Sequence, residues 1–356
     1  MESTGPRIRE LDGIRGIAAM GVVLHHYSTH LGGDPFRSIL APIYKGGFLF
    51  VPLFFVLSGY ILAQIYAVEG RYPTFRSAVV SRIARLYPLH ILTLVVVGAL
   101  QKLHVILTGY VFMYPYNDLW HLFLNVLMLN DSGLQTGYSF NGPAWSISTE
   151  FIVNVVFLGL ALAHPRRYIW VGCGLVLFAA AMDASLGWSG EQPSLRSLQG
   201  LLSCFLCFGM GLLARAAQDW LPSLRLNTRI SDILFLAICG LCAYLFRIPE
   251  SRLAFYVLAV VCFPALVLLG LRTRIAGSIL RLRTLRFLGD ISFSLYLVHF
   301  PLELMLLTGT AATGIVIPYD SPFVLAVYSG ICMAVSWFTW KRFEMPMRVY
   351  VKRVLS

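Results

Sequence analysis

The chain has 356 residues, 58% of them hydrophobic and only 13% charged, with a net charge of +11 and a mean hydropathy of +0.73. A soluble chain carries about 25% charged residues, so a soluble globular fold is excluded, and repeated apolar runs near 20 residues point to a polytopic α-helical membrane protein. The basic residues lie in short loops between those runs, where anionic lipid headgroups or an anionic substrate are the natural counterparts and nucleic acid is not.

Ten spans are predicted, at 12–30, 47–68, 83–103, 143–164, 167–186, 199–217, 230–246, 253–271, 287–308 and 322–340. With the N-terminus inside, 22 of the 28 Lys and Arg fall on the inner side, among them Arg7, Arg15, Arg71, Arg82, Arg85, Arg166, Arg225, Arg286 and Arg348. The outer side holds only Arg37, Lys45, Lys102, Arg196, Arg247 and Arg252. The positive-inside rule therefore favours an all-α bundle with both termini cytoplasmic. One domain is expected over 1–356, with no appended soluble domain. Ile17–Leu24 is short enough for a signal-peptide core, but no small-x-small cleavage site follows it, so it reads as a retained span.

The first span, LDGIRGIAAMGVVLHHYSTH (Leu11–His30), has a cation near its start and three histidines near its end. Arg15 and His26 are eleven residues apart, so on a helix they project within about 20° of each other, separated by about 16 Å of rise. An ionisable pair on one stripe of an apolar helix faces a bundle interior or a water-filled cavity. A neutral imidazole takes a proton from a hydroxyl at physiological pH, which makes His26 a candidate base. A histidine that only hydrogen-bonds across helices is the plainer alternative. His25 points about 100° away and reads as packing. His30 lies on the stripe at i+4, a zinc-compatible spacing, but no third ligand accompanies it and no metal site is expected.

The second span contains VPLFFVLSGYILA, in which Pro52, Ser58 and Gly59 read as packing elements. The third opens with SRIARLYPLH, where Arg82 and Arg85 share one face at the inner end. Two guanidinium forks suit phosphate or pyrophosphate, and membrane anchoring is the plainer reading. The outer segment 104–142 is rich in aromatic residues and fits an interfacial belt or a sugar platform equally. Asn141–Glu150 (NGPAWSISTE) begins the fourth span with a helix-breaking Gly-Pro, with Trp145 at the interface and Glu150 about two turns in. A carboxylate at that depth needs a partner; His26 and a substrate hydroxyl are the two functional candidates, and a structural pair with an arginine is the plainer reading. In the ninth span His299 and Glu303 stand at i, i+4, a spacing that allows them to pair with each other, which would make them structural. The seven cysteines all lie in apolar segments. Cys204/Cys207 and Cys239/Cys242 have zinc-like spacing but read as buried packing thiols.

Six stretches together resemble the membrane-bound acyltransferase-3 family: LDGIRGIAAMGVVLHH (Leu11–His26), FFVLSGYIL (Phe54–Leu62), RIARLYP (Arg82–Pro88), AWSISTE (Ala144–Glu150), LGDISFSLYLVHFP (Leu288–Pro301) and KRFEMPMR (Lys341–Arg348). The family's arginine, ten residues and histidine fall on Arg15 and His26, and its R-x-x-R pair falls on Arg82 and Arg85. Phe293 departs from the tyrosine that the family often has there. The resemblance implies a ten-helix O-acyltransferase in a bacterial cytoplasmic membrane, with acyl-CoA, usually acetyl-CoA, as donor substrate and no tightly bound cofactor. The acceptor would be a hydroxyl of a glycan or of a glycosylated small molecule such as an antibiotic. Arg15, Arg82 and Arg85 would hold the acyl-CoA. His26, Glu150 and Arg15 would form the catalytic set, and Trp145, Ser148, His299 and Tyr296 would contact the acceptor or support the site. A glycan transporter is the rival class, but it leaves the aligned Arg–His stripe unexplained.

Overall fold

The structure, a computed structural model, describes residues 8–68, 74–161, 167–186, 198–220 and 227–355. Arg7, Arg71, Arg166, Arg196 and Arg225 of the charge map lie outside the described residues. Among those residues there is no strand. The helices in chain order are α1 (Arg9–Leu31), α2 (Arg37–Gly46), α3 (Phe50–Leu62), α4 (Phe75–Thr108), α5 (Leu119–Val126), α6 (Trp145–Ala161), α7 (Tyr168–Leu186) and α8 (Leu198–Trp220). They continue as α9 (Thr228–Leu245), α10 (Arg252–Val257), α11 (Phe263–Gly270), α12 (Arg274–Leu280), α13 (Arg283–Thr313), α14 (Pro322–Thr339) and α15 (Met345–Leu355). Their ends follow local chemistry. Thr74, Asp118, Asn227, Ser251 and Thr273 cap N-termini through their side-chain oxygens. Gly32, Gly109 and Gly314 close α1, α4 and α13 in the left-handed conformation.

Among the described residues, nine helical stretches are long and apolar enough to cross a membrane. With α1 they overlie the ten predicted spans, and the protein is an all-α, multi-pass integral membrane bundle. Exposed side chains such as Ile106, Leu119, Trp170 and Phe323 form its lipid-facing surface. Glu10, Asp12, Arg15 and the histidines lower the hydropathy of α1, yet its buried face packs along α13. The second crossing starts earlier than expected, because α2 turns residues 37–46 of the predicted outer loop into helix, burying Pro42 and Tyr44. The last crossing continues beyond 340 through a π-turn, Trp340–Glu344, into α15.

Helices α1 and α13 run parallel and in register. His26 meets His299 and His30 meets Glu303, each pair 273 residues apart in sequence. One end of the contact is made by backbone. A β-carbon on Gly16 would stand 2.7 Å from the Leu285 carbonyl oxygen and 2.9 Å from the Gly289 nitrogen, and one on Gly289 would collide with the Asp12 carbonyl oxygen. Within a membrane such small-residue seams let helices associate by close packing. The α3–α8 crossing uses the same device, with Gly59 against the Phe208 carbonyl and Gly211 against the Val56 carbonyl. Gly289→Val is therefore expected to lower the thermal midpoint of the detergent-solubilised protein, by about 1–3 kcal/mol of overpacking. Gly309→Ala on the same helix, where a β-carbon meets nothing within 4 Å, should leave the midpoint in place.

The two ends of the bundle differ. At one end Arg281 pairs with Glu10 at 2.6 Å, and Arg76 donates to the Leu355 carbonyl at 3.3 Å. The chain start, the α4 entry, the α12–α13 turn and the C-terminal helix thus share a side, the arginine-rich one. At the other end Tyr27 donates to the Tyr319 carbonyl at 2.6 Å, and His104 meets Thr308 at 2.8 Å.

Candidate active site

Two chambers lie along the bundle axis and share a wall made by Val51 and Tyr296. The one nearer the basic end is lined by Arg15, Arg82 and Arg85 with Ser58, Ser146, Glu150, Phe293 and an apolar face of α3. The i, i+3 spacing on α4 does bring Arg82 and Arg85 into one space, and α1 adds Arg15 from across it. The Nε atoms of Arg15 and Arg82 are buried and have no hydrogen-bond partner. A buried guanidinium N–H without an acceptor is costly, and an acceptor entering this chamber would remove that cost. Glu150 and Glu344 lie within electrostatic reach of Arg15 and offset part of the cluster's charge.

Glu150 accepts a hydrogen bond from Ser58 Oγ at 2.7 Å. It stands in the arginine chamber and does not pair with His26, one of the two functional candidates from sequence. The fourth span enters from the far end, and two turns of helix carry Glu150 past the shared wall. Ser58, read as packing, is its partner. Glu344 is buried by the π-turn and accepts from Ser294 Oγ at 2.6 Å. Nothing in KRFEMPMR marks that role, since the π-turn that aims the side chain inward has no sequence signature.

The second chamber, of about 100 Å³, is lined by His25, His26 and His30 from α1 and by Tyr114, Tyr138, Trp145, Ser203 and Tyr296. His299 Nδ1 lies 3.1 Å from the Leu295 carbonyl oxygen and its Nε2 lies 2.7 Å from His26 Nδ1. A carbonyl only accepts, so the neutral His299 carries its proton on Nδ1 and its lone pair on Nε2. His26 then donates from Nδ1, which leaves the lone pair of His26 on Nε2. The ring planes of the two residues are 11° apart. Sequence made His26 the candidate base and His299 a possible support; the structure brings the two together, and the pairing on α13 is different from the one considered there. Glu303 accepts from His30 Nδ1 at 2.7 Å and from Tyr328 OH at 2.9 Å and not from His299, because both α13 side chains reach across to α1. His30, demoted on sequence, is part of the chamber. His25 is tied to the Tyr44 carbonyl at 2.7 Å.

The remaining candidates separate clearly. Trp145 lines the second chamber and Tyr296 lines both. Tyr296 OH donates to the Pro143 carbonyl at 2.9 Å and accepts from Ser146 Oγ at 2.8 Å, which fixes the phenol as a wall. Ser148 is fully buried and donates to the Met128 carbonyl at 2.6 Å, so it braces the outer segment and does not line either chamber. In that segment burial pushes the Asp131 carboxyl well above the ordinary range. Among the described residues no group of three His, Cys, Asp or Glu is arranged to hold a metal ion.

An arginine-lined chamber and a histidine-lined chamber thus meet at one wall within the membrane bundle. The acyltransferase family (Acyl_transf_3, acyltransferase domain) matches residues 8–341, and the chain belongs to that family. It is similar to the Bacillus subtilis (strain 168) protein named "Putative peptidoglycan O-acetyltransferase YrhL", with 29% identity over 82% of this chain and 48% of the relative. It is also similar to the peptidoglycan O-acetyltransferase OatA of Listeria monocytogenes, with 24% identity over 83% of this chain and 49% of the relative. The acyltransferase MdmB of Streptomyces mycarofaciens is 26% identical over 83% of this chain and 78% of the relative. The chain spans about half the length of the two peptidoglycan O-acetyltransferase relatives. No solved structure matches.

Proposed function

We propose that the protein moves an acetyl group from cytoplasmic acetyl-CoA to a hydroxyl of a cell-surface or exported glycan, in a bacterial cytoplasmic membrane. The observation that carries this reading is the pair of chambers meeting at Val51 and Tyr296, with unpartnered guanidinium N–H groups on one side and the His26 lone pair on the other. The phosphates of CoA bind Arg15, Arg82 and Arg85, and the thioester reaches the shared wall. The acceptor hydroxyl enters the histidine chamber, where aromatic side chains suit a sugar ring. As its oxygen forms the ester bond to the acyl carbon, its proton passes to His26 Nε2. The carbon–sulfur bond breaks, CoA leaves as a thiolate that takes a proton from water on the arginine side, and His26 returns to its neutral form by releasing its extra proton to water, so that the net transfer is one proton from the acceptor hydroxyl to the CoA thiol. Glu150, held by Ser58, keeps the guanidinium forks spread, and His299 keeps the proton of His26 on Nδ1.

The test is mass spectrometry of surface glycans from host cells with and without the protein. An acetyl increment of about 42 Da on a saccharide, lost with His26→Ala, is expected. A transporter would redistribute glycans between compartments and add no mass, and that outcome would sink the proposal.

A further inference from the structure

His30 has a better-backed imidazole than His26, and the reaction above does not use it. Its Nδ1 donates to Glu303 Oε2 at 2.7 Å, and Glu303 has no solvent exposure and has its other oxygen taken by Tyr328. Glu303 thus has one oxygen on His30 and the other on Tyr328, and its hydrogen bond to the chamber lining is the one to His30. The His26 and His30 rings are 4.7 Å apart and 18° from parallel, and both line the same chamber. Each has its Nδ1 occupied, one by His299 and the other by Glu303. In the neutral form each therefore offers an Nε2 lone pair, and the two rings sit side by side on one face of the chamber.

A single hydroxyl has one proton and satisfies one such lone pair. Two adjacent acceptors, fixed in orientation from behind, match two neighbouring hydroxyls. We propose that His30 is a second hydroxyl-binding residue, and that the acceptor is a sugar ring presenting a pair of neighbouring free hydroxyls. One gives its proton to His26 Nε2 and becomes the ester. The other donates a hydrogen bond to His30 Nε2, keeps its proton and stays free. Glu303 is a positioning residue. Its negative charge strengthens the His30 lone pair as an acceptor and fixes which ring nitrogen faces the sugar. The walls supplied by Tyr114, Tyr138, Trp145 and Tyr296 fit the apolar face of the same ring. This inference rests on the glycan-acyltransferase reading and adds to it which hydroxyls are chosen.

The experiment uses the full-length protein in host cells, with the ester position on the purified surface glycan read by tandem mass spectrometry and NMR. The wild type should place the acyl group on one hydroxyl whose ring neighbour is unmodified. His30→Phe, which keeps a flat ring beside His26, and Glu303→Gln should each lower the acyl level about 10- to 100-fold. In both variants the remaining ester should scatter over more than one hydroxyl. A fall in level with the position unchanged means that His30 and Glu303 only hold α1 against α13, and overturns the proposal. So does a wild-type ester on a hydroxyl that has no neighbour, a result independent of whether any variant folds. Absence of any acyl increment in the wild type is the separate failure of the underlying reading and removes both.

Discussion

His26→Ala should lower acyl transfer about 10²- to 10⁴-fold, the range associated with losing a positioned general base, in protein that inserts and folds as the wild type does. Folding is expected to survive because α1 is held largely elsewhere, by Gly16 against Gly289 of α13 at one end and by Tyr27 against Tyr319 of the following turn and Tyr328 of α14 at the other. His299→Ala should fall between His26→Ala and the wild type. It leaves the base in place but removes the acceptor at 2.7 Å that holds the His26 proton on Nδ1. The imidazole then spends part of its time with the proton on the wrong nitrogen, a defect that can be severe in itself. Transfer of label from acetyl-CoA in membranes, normalised to inserted protein, ranks the three. His299→Ala at wild-type rate would show that the bond between the rings is packing alone.

Arg85→Ala should raise the KM for acetyl-CoA about 10- to 100-fold, as expected for loss of charge-assisted hydrogen bonds to phosphate, while the acceptor concentration dependence stays put. Arg85→Lys should recover only part of the loss, since a point charge does not reproduce a planar fork. The same substitution has an opposite effect on stability. Arg85 is half-buried, within electrostatic reach of Arg15, Arg82 and Arg348, with Glu150 as a counter-charge. Removing one member of a crowded cationic set relieves repulsion, so the ligand-free Arg85→Ala protein should melt higher than the wild type, and added acetyl-CoA should narrow that difference. A lower melting point in both conditions would mean that the arginine cluster is structural.

Much of this arrangement was legible in the sequence because helical periodicity and charge counting act locally. The Arg15–His26 stripe, the Arg82–Arg85 pair and the ten apolar runs all need only a few consecutive turns of one helix. Partner choice needs more. Glu150 met Ser58 and His299 met His26 because of how far each helix slides along its neighbour, which no single helix encodes. The i, i+4 spacing of His299 and Glu303 suggested a pair within α13, whereas the parallel register with α1 gives each a partner in the other helix. Four histidine and glutamate positions repeat one i, i+4 spacing on two helices, and that repetition was the available signal. Helix α2 was hidden for another reason, since Arg37, Pro42 and Lys45 look like loop residues until Pro42 and Tyr44 are seen to be buried.

The register of α1 and α13 also sets a timetable. The two helices that make the histidine site are 273 residues apart, which at ordinary synthesis rates is about 14–55 s of translation. During that interval the first helix sits in the bilayer with His26 and His30 lacking the partners that α13 will bring. Chain-shortening lesions anywhere before α13 therefore leave a half-site with exposed ionisable groups in lipid, a species that membrane quality control can distinguish from the finished enzyme by polarity alone. The His26–His299 and His30–Glu303 pairs therefore form together, when the ninth crossing slides into place beside the first.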